Sequence, residues 1–345
     1  MPESNLRKIK WPEQLTTAIN EQLSLLSYNI NNLQKLVPAI TKQSNSYNND
    51  TNIDPWATKV SQAAYLSYFF PLNTLRLIAV IEEAQKLGFF KGIKTATELG
   101  SGCGTFDMAY RATNNQPLVK TNIELSDDAV KIHKSISTNL NTNNNRFSDS
   151  IVKSDLFIAS YTLNETGNDI SKLASYDNLF IIEPSTELHS RNLIKLREQL
   201  LKEGFYAWAP CPHNLDCPIL KNTKKDWCHD RVFIDKPQWF LKLENKLPNF
   251  NNSLTFSYLL MSKRPSPVAN KNLIRTIGNT LKEKGKHKQM ICKNDERLFF
   301  SWLKKNGKPP FLNRGALYEP PSDFEKKSNE IRPNAPLTEY SYPDE

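Results

Sequence analysis

Thr95-Ala96-Thr97-Glu98-Leu99 runs without a break into Gly100-Ser101-Gly102-Cys103-Gly104. The first half has the length and character of a short strand. The second half is a glycine turn, and a helical pattern follows it. A strand that enters a glycine turn and then a helix is the opening of a doubly wound α/β sheet. The glycines allow the tight turn and let a ligand approach the backbone. Glu124 closes the next apolar stretch, residues 118–125, twenty-six positions after Glu98. A carboxylate at that place can accept hydrogen bonds from ribose hydroxyls. Turn and acid together point to a nucleoside-type ligand held by Glu98, Gly100, Gly102, Gly104 and Glu124. The plain alternative is a structural turn and a surface glutamate. Cys103 reads as a small loop residue, since nothing near it in sequence supplies a base.

Working outward, residues 11–42 carry apolar side chains at helical spacing, and an Asn/Ser-rich stretch, 43–52, reads as a linker. Residues 57–88 predict further helix, broken near Pro71. Beyond the glycine turn, residues 155–162 and 178–183 are apolar strands, and 190–203 is an amphipathic helix ending near Gly204. Strands alternating with helices imply a largely parallel sheet. Residues 205–209 and 254–261 predict two final strands. More than forty residues part them, too many for a hairpin turn. The expected division is therefore a helical region with linker (1–60), a core (61–264) that includes a Cys-rich insertion (210–253), a small basic C-terminal subdomain (265–319) and a disordered tail (320–345).

The Glu-x-Gly-x-Gly-x-Gly form differs from a dinucleotide turn, because its third glycine comes one residue earlier. It resembles motif I of S-adenosylmethionine-dependent methyltransferases, and that resemblance implies the class I, Rossmann-like methyltransferase fold. No Asn-Pro-Pro-Tyr-type tetrapeptide follows the fourth strand, which continues Ala159-Ser160-Tyr161-Thr162-Leu163-Asn164. No Cys-Pro pair sits where an RNA cytosine methyltransferase has its nucleophile. Cofactor binding is thus better supported than methyl transfer, which would need a positioned base or amide-binding group near Asn164 or Glu183.

Four of the five cysteines, Cys211, Cys217, Cys228 and Cys292, lie late in the chain. Thiolates take soft or borderline metals. The spacing fits neither a zinc ribbon nor a bacterial ferredoxin. Irregular spacing with flanking prolines suits a 4Fe–4S cluster, with zinc held by Cys and His213 or His229 as the rival. A purely structural reading, four scattered buried cysteines, is weakened by the polar segment around them. An odd cysteine count also argues against a disulfide framework. A radical enzyme would need a C-x3-C-x2-C run, which is absent.

The net charge is +9, but between Lys263 and Arg314 fourteen Lys/Arg face three Asp/Glu, a local +11 that leaves the rest of the chain about neutral. A basic segment on a neutral body predicts a polyanion partner. Arg275, Lys282, Lys284, Lys286 and Lys288 are the expected phosphate contacts. A solvated surface segment is the alternative.

The run Ala209-Pro210-Cys211-Pro212-His213, Cys217-Pro218, Asp226-Trp227-Cys228-His229, Arg231-Val232 is similar to the signature of the methyltransferase-like protein seventeen family. Ala64-Tyr65 with Tyr68, Asp155-Leu156, Glu183-Pro184 and Phe256-Ser257-Tyr258-Leu259 match in order over roughly residues 60–300. The family comprises assembly factors of the mitochondrial small ribosomal subunit and their yeast and bacterial relatives. The resemblance implies a methyltransferase fold that binds S-adenosylmethionine, a 4Fe–4S cluster on Cys211, Cys217, Cys228 and Cys292, and association with small-subunit rRNA. His213 and His229 belong to the signature and read as groups that orient the ligands or face RNA. This chain passes from Cys228-His229 directly to Asp230-Arg231, where the family has a few more residues.

The sequence-level expectation is a factor of small-subunit assembly or translation, monomeric off the ribosome. An active rRNA methyltransferase and a zinc-containing RNA-binding protein are the alternatives. No run of eighteen apolar residues exists, so no membrane span is expected. The N-terminal segment resembles neither a signal nor a transit peptide. That favours a bacterial cytoplasmic relative, with the mitochondrial matrix as the alternative.

Overall fold

The computed structural model describes residues 6–342 except 50, 52, 114–115, 140–144, 149, 151, 164–168, 249 and 270. Its larger sheet contains nine strands: β1 (Lys8–Lys10), β2 (Thr95–Leu99), β3 (Val119–Ile123), β4 (Asn145–Phe147), β5 (Leu156–Ser160), β6 (Asn178–Glu183), β7 (Tyr206–Ala209), β8 (Asp230–Asp235) and β9 (Ser253–Ser262). The order is β1-β8-β9-β6-β5-β2-β3-β4, with β7 also pairing β9. Strands β2 to β6 are parallel, and β9 enters antiparallel to β6, β7 and β8. Strands β5 and β6, at the centre of the sheet, are buried on both faces, as their continuous apolar runs require. Because β3 and β5 flank β2 on opposite sides, the turn after β2 opens at the point where the strand order reverses, the usual ligand crevice of such sheets.

The helix over Glu187–Lys202 starts on Thr186, whose hydroxyl accepts the His189 N–H, and it buries Leu193, Leu196 and Leu200. Ahead of the sheet, helices Glu13–Leu25 and Leu33–Asn48 confirm the early helical pattern. The second of them corrects the linker reading. It continues through Asn48 because Gln43 and Ser46 are buried, Gln43 donating to Ser61 O and Ser46 to Thr51 O. The break near Pro71 is a π-helical turn, Tyr65–Phe69, set between helices Lys59–Ala64 and Phe70–Lys86. The whole run, Lys59–Lys86, is long and apolar enough to cross a membrane by composition, contrary to the sequence-level expectation. Its most apolar window is 78% buried inside the protein, as in a core helix.

The insertion is more ordered than its polar sequence suggests. It holds a short helix, Pro218–Asn222, strand β8 and a helix, Gln238–Glu244, with Val232, Phe240 and Leu243 in the main core. The segment after β9 folds into a second, six-stranded sheet: β10 (Ile274–Glu283), β11 (Lys286–Lys293), β12 (Glu296–Leu303), β13 (Leu317–Tyr318), β14 (Phe324–Lys327) and β15 (Glu330–Pro333). It has its own core of Ile274, Ile291, Leu298, Phe300, Trp302 and Ile331. The tail expected to be disordered from Pro320 instead supplies the β14–β15 hairpin. Burial of Ile331 and Leu337 and parallel pairing of β15 with β12 hold it.

Candidate functional sites: a glycine turn and a four-thiol pocket

At the end of β2, Gly100, Gly102 and Gly104 all have left-handed φ, 64°, 52° and 88°. Two are also sterically required. A Cβ on Gly100 would lie 2.5 Å from Thr162 Oγ1, and one on Gly104 would lie 2.7 Å from His133 Cδ2. Gly102 is different, with Trp56 at 3.8 Å as its nearest neighbour. The Gly102 N–H donates to Glu124 Oε2 at 2.8 Å, and Ser126 N–H donates to Oε1 at 2.9 Å. Turn and acid thus form one unit. Each Glu124 oxygen still has a lone pair for a hydroxyl. Beside it Leu125 is 99% exposed, an apolar platform at the crevice, and the buried Ser101 Oγ has no partner among the described residues.

Glu98 does not join this site. It is 1% exposed and ion-paired with Lys120 beneath the turn. Lys120 also meets Asp107 Oδ1 at 2.6 Å, and His133 Nε2 meets Asp107 Oδ2 at 2.6 Å. Burial alone would make Lys120 a weaker base, but two carboxylates outweigh it and raise its pKa. Asp107 is held far below the usual range: burial opposes ionisation, and Lys120 and His133 overcome it. The sequence carried one signal of this brace, a lysine inside the strand expected over 118–125.

Where methyl transfer would need a base or amide-binding group, Glu183 is buried and one of its oxygens accepts Leu163 N–H at 3.1 Å. Asn164 lies outside the described residues.

The second site joins remote segments. Cys211, Cys217, Cys228 and Cys292 line one cavity of about 40 Å³ with Arg197, His213 and Arg275. All four are free thiols. Burial pushes Cys217 up to about 12 and raises Cys228 and Cys292 as well, the neighbouring cysteines adding to the effect. They are not isolated in polar surroundings as expected. The helix over Glu187–Lys202 contributes Ile194, and β10 contributes Ile277, to an apolar cluster containing Cys217 and Cys292. Among the described residues no three Cys, His, Asp or Glu side chains are close enough to hold a single metal ion.

Arg275 Nη1 donates to Cys228 Sγ at 2.8 Å. Arg197 Nη2 donates to His213 O at 2.6 Å and braces the loop between Cys211 and Cys217. His213 Nε2 lies 3.5 Å from Cys292 Sγ. Burial, aided by Arg197, lowers His213 to about 4, so its ring is neutral near pH 7. His229 is lowered to about 3 by burial and by Arg314, whose Nη2 lies 3.1 Å from His229 Nδ1.

The basic segment is divided by the fold. Arg275 is buried and cannot meet a phosphate, which corrects its sequence-level role. Lys286 pairs with Glu330 and Glu283, and Lys288 pairs with Glu283 at 2.5 Å. Lys282 and Lys284, at the tip of the β10–β11 hairpin, are exposed.

The strand order with its single inserted antiparallel strand, and the glycine turn tied to an acid after the next strand, define a protein of the class I methyltransferase fold. The chain belongs to the family described as mitochondrial small ribosomal subunit Rsm22, which matches residues 60–320. This bears out the small-subunit family recognised from the cysteine signature, and it fits the mitochondrial alternative for its compartment. No curated protein matches the chain. Among solved structures it is similar to the precorrin-6y C5,15-methyltransferase of Geobacter metallireducens (10% identity, 55% of this chain and 87% of that one, TM-score 0.36). It is also similar to a SAM-dependent methyltransferase of Aquifex aeolicus (15% identity, 45% and 90%, TM-score 0.33). A third is the S-adenosyl-L-homocysteine complex of a SAM-dependent methyltransferase from Thiobacillus denitrificans (14% identity, 55% and 91%, TM-score 0.32). At these scores the likenesses add nothing to the strand order.

Proposed function

We propose that this protein is a factor of the small ribosomal subunit that binds S-adenosylmethionine and a 4Fe–4S cluster and contacts small-subunit rRNA, with methyl transfer secondary. The observation that carries the reading is the convergence of Cys211, Cys217, Cys228 and Cys292 on one buried cavity. A tetrahedral zinc site holds sulfur about 2.3 Å from the metal and so needs its thiols nearly in contact. Four thiols spaced around a cavity of about 40 Å³, against the roughly 10–15 Å³ one water needs, suit a polynuclear group better. Buried Arg197 and Arg275 provide the positive surroundings that an anionic thiolate cluster requires. Held there, the cluster would join the insertion to β11, metal-binding free energy becoming folding free energy.

For the cofactor, Gly102 leaves room for close approach, Glu124 can accept ribose hydroxyls and Leu125 can cover an adenine face. The engagement of Glu183 by the backbone favours binding over catalysis. The family's description supports the mitochondrial small subunit as the partner, and we take the chain to be monomeric away from it. Anaerobic purification with iron, sulfide and zinc quantification tests the central claim. Near-stoichiometric iron and sulfide are expected, and stoichiometric zinc without sulfide overturns the cluster.

A further inference from the structure

A line of buried charges runs from the thiol pocket to the N-terminal strand, and neither the glycine turn nor the four thiols require it. Arg275 stands on β10 directly opposite Cys292 on β11, so neighbouring strands deliver a guanidinium and a thiol to the same cavity. One arm of Arg275 donates to Cys228 Sγ at 2.8 Å, and the other pairs with Asp230. Asp230 is fully buried, and its second oxygen accepts from Arg7 Nη1 at 2.9 Å. Arg7 also donates to Ala79 O at 3.2 Å, and its backbone N–H donates to Asn313 Oδ1 at 3.0 Å. The next residues, Lys8–Lys10, are β1, paired in parallel with β8. Gly315 closes over the Asp230 carboxylate, where a Cβ would come within 2.5 Å. One chain of contacts therefore links the insertion, the second sheet, the N-terminal strand and the helix over Phe70–Lys86.

A neutral thiol is a weak hydrogen-bond acceptor, whereas a metal-bound thiolate is charged and accepts more strongly. Filling the pocket therefore tightens the grip of Arg275 on Cys228. A fixed Arg275 in turn fixes Asp230 for Arg7. Coupling of this kind is reciprocal, so docking of Arg7 must equally favour retention of the bound group. We propose that Arg275 is a positioning residue of the thiol site and that, through Asp230 and Arg7, it couples cluster retention to docking of the N-terminal strand. This inference rests on the cluster reading above.

The test uses the full chain, anaerobically reconstituted with iron and sulfide, as wild type, Arg275→Lys and Arg7→Gln. Lysine preserves a cation for Asp230 but cannot fork to both partners, and Arg7 lies away from the pocket, so both variants are expected to fold. Three quantities are read: bleaching of cluster absorbance by chelator, cluster reduction potential, and amide exchange at residues 8–10 before and after loading. Loading should slow wild-type exchange there by about tenfold, within the usual range for coupled sites. Arg275→Lys should bleach about tenfold faster, shift the potential downward as an N–H···S bond is lost, and abolish the exchange response. Arg7→Gln should speed bleaching without moving the potential. A merely structural ion pair would leave the potential of Arg275→Lys at the wild-type value, and that result, or wild-type bleaching in Arg7→Gln, overturns the proposal. Wild-type protein that takes up no iron and sulfide fails earlier and distinguishably, because it removes the cluster reading itself.

Discussion

Lys120 is buried within a strand, where charge is costly, and it is stable there only because Glu98 and Asp107 meet it. Removing Asp107 leaves Lys120 with Glu98 alone and takes the carboxylate partner from His133. Asp107→Asn should therefore lower stability by about 1–3 kcal/mol at pH 7, read by urea unfolding. The pH dependence follows from the depressed pKa of Asp107. Its contribution is complete above the unfolded value, about 3.9, and is lost as pH falls through the lower folded value. The gap between wild type and Asp107→Asn should accordingly close below about pH 4, and a gap that persisted unchanged would refute this account. At the glycine turn, Gly102→Arg should abolish S-adenosylmethionine binding by calorimetry while leaving far-UV dichroism unchanged. A Cβ at Gly102 makes only an ordinary van der Waals contact with Trp56 at 3.8 Å, and the backbone strain of an L residue at positive φ is only about 1–2 kcal/mol.

At the scale of elements, the β10–β11 hairpin is where the basic segment divides. Each lysine that neutralises a phosphate contributes a slope of roughly one in the logarithm of salt concentration. Alanine at both Lys282 and Lys284 should weaken binding to small-subunit rRNA and flatten the salt dependence by about two, measured by fluorescence anisotropy between roughly 50 and 200 mM salt. Alanine at Lys286 and Lys288 should do less, because acidic neighbours already engage them. Equal losses from both pairs would reject the hairpin tip as the RNA contact. The elements themselves were unevenly legible. Apolar runs announced β5 and β6 almost to the residue, since strands buried on both faces must be apolar, while the glycine turn and Glu124 marked the ends of β2 and β3. Strands β10 to β12 were hidden. Their outward faces carry several of the lysines that made the segment read as a charged tract, while Ile274, Ile291, Leu298, Phe300 and Trp302 turn inward to the core of the second sheet.

Across the whole molecule, the second sheet has a core of its own, so the thiol site is expected to dock that sheet rather than to fold it. Cys292→Ser, or removal of bound metal from the wild type, should lower Tm by at least about 5 °C, a few kcal/mol for a chain of this size. Limited proteolysis should then cut first between the two sheets. A Cys292→Ser protein with wild-type Tm and protease pattern would show that the thiols tie nothing together.

The sequence by itself determined the doubly wound core, the glycine turn with Glu124, and the set of four cysteines. All three are written in local periodicity, turn chemistry or residue identity, which a linear reading can recover. Tertiary structure alone decided which charges face water and which face one another. It drew Glu98 beneath the turn to Lys120, and Arg275 away from solvent to Cys228 and Asp230. It also brought Arg7 to Asp230 across 223 positions of sequence. The reason is that a charged side chain carries no local mark of its partner. Burial makes an ion pair obligatory, and burial is known only once distant segments have packed.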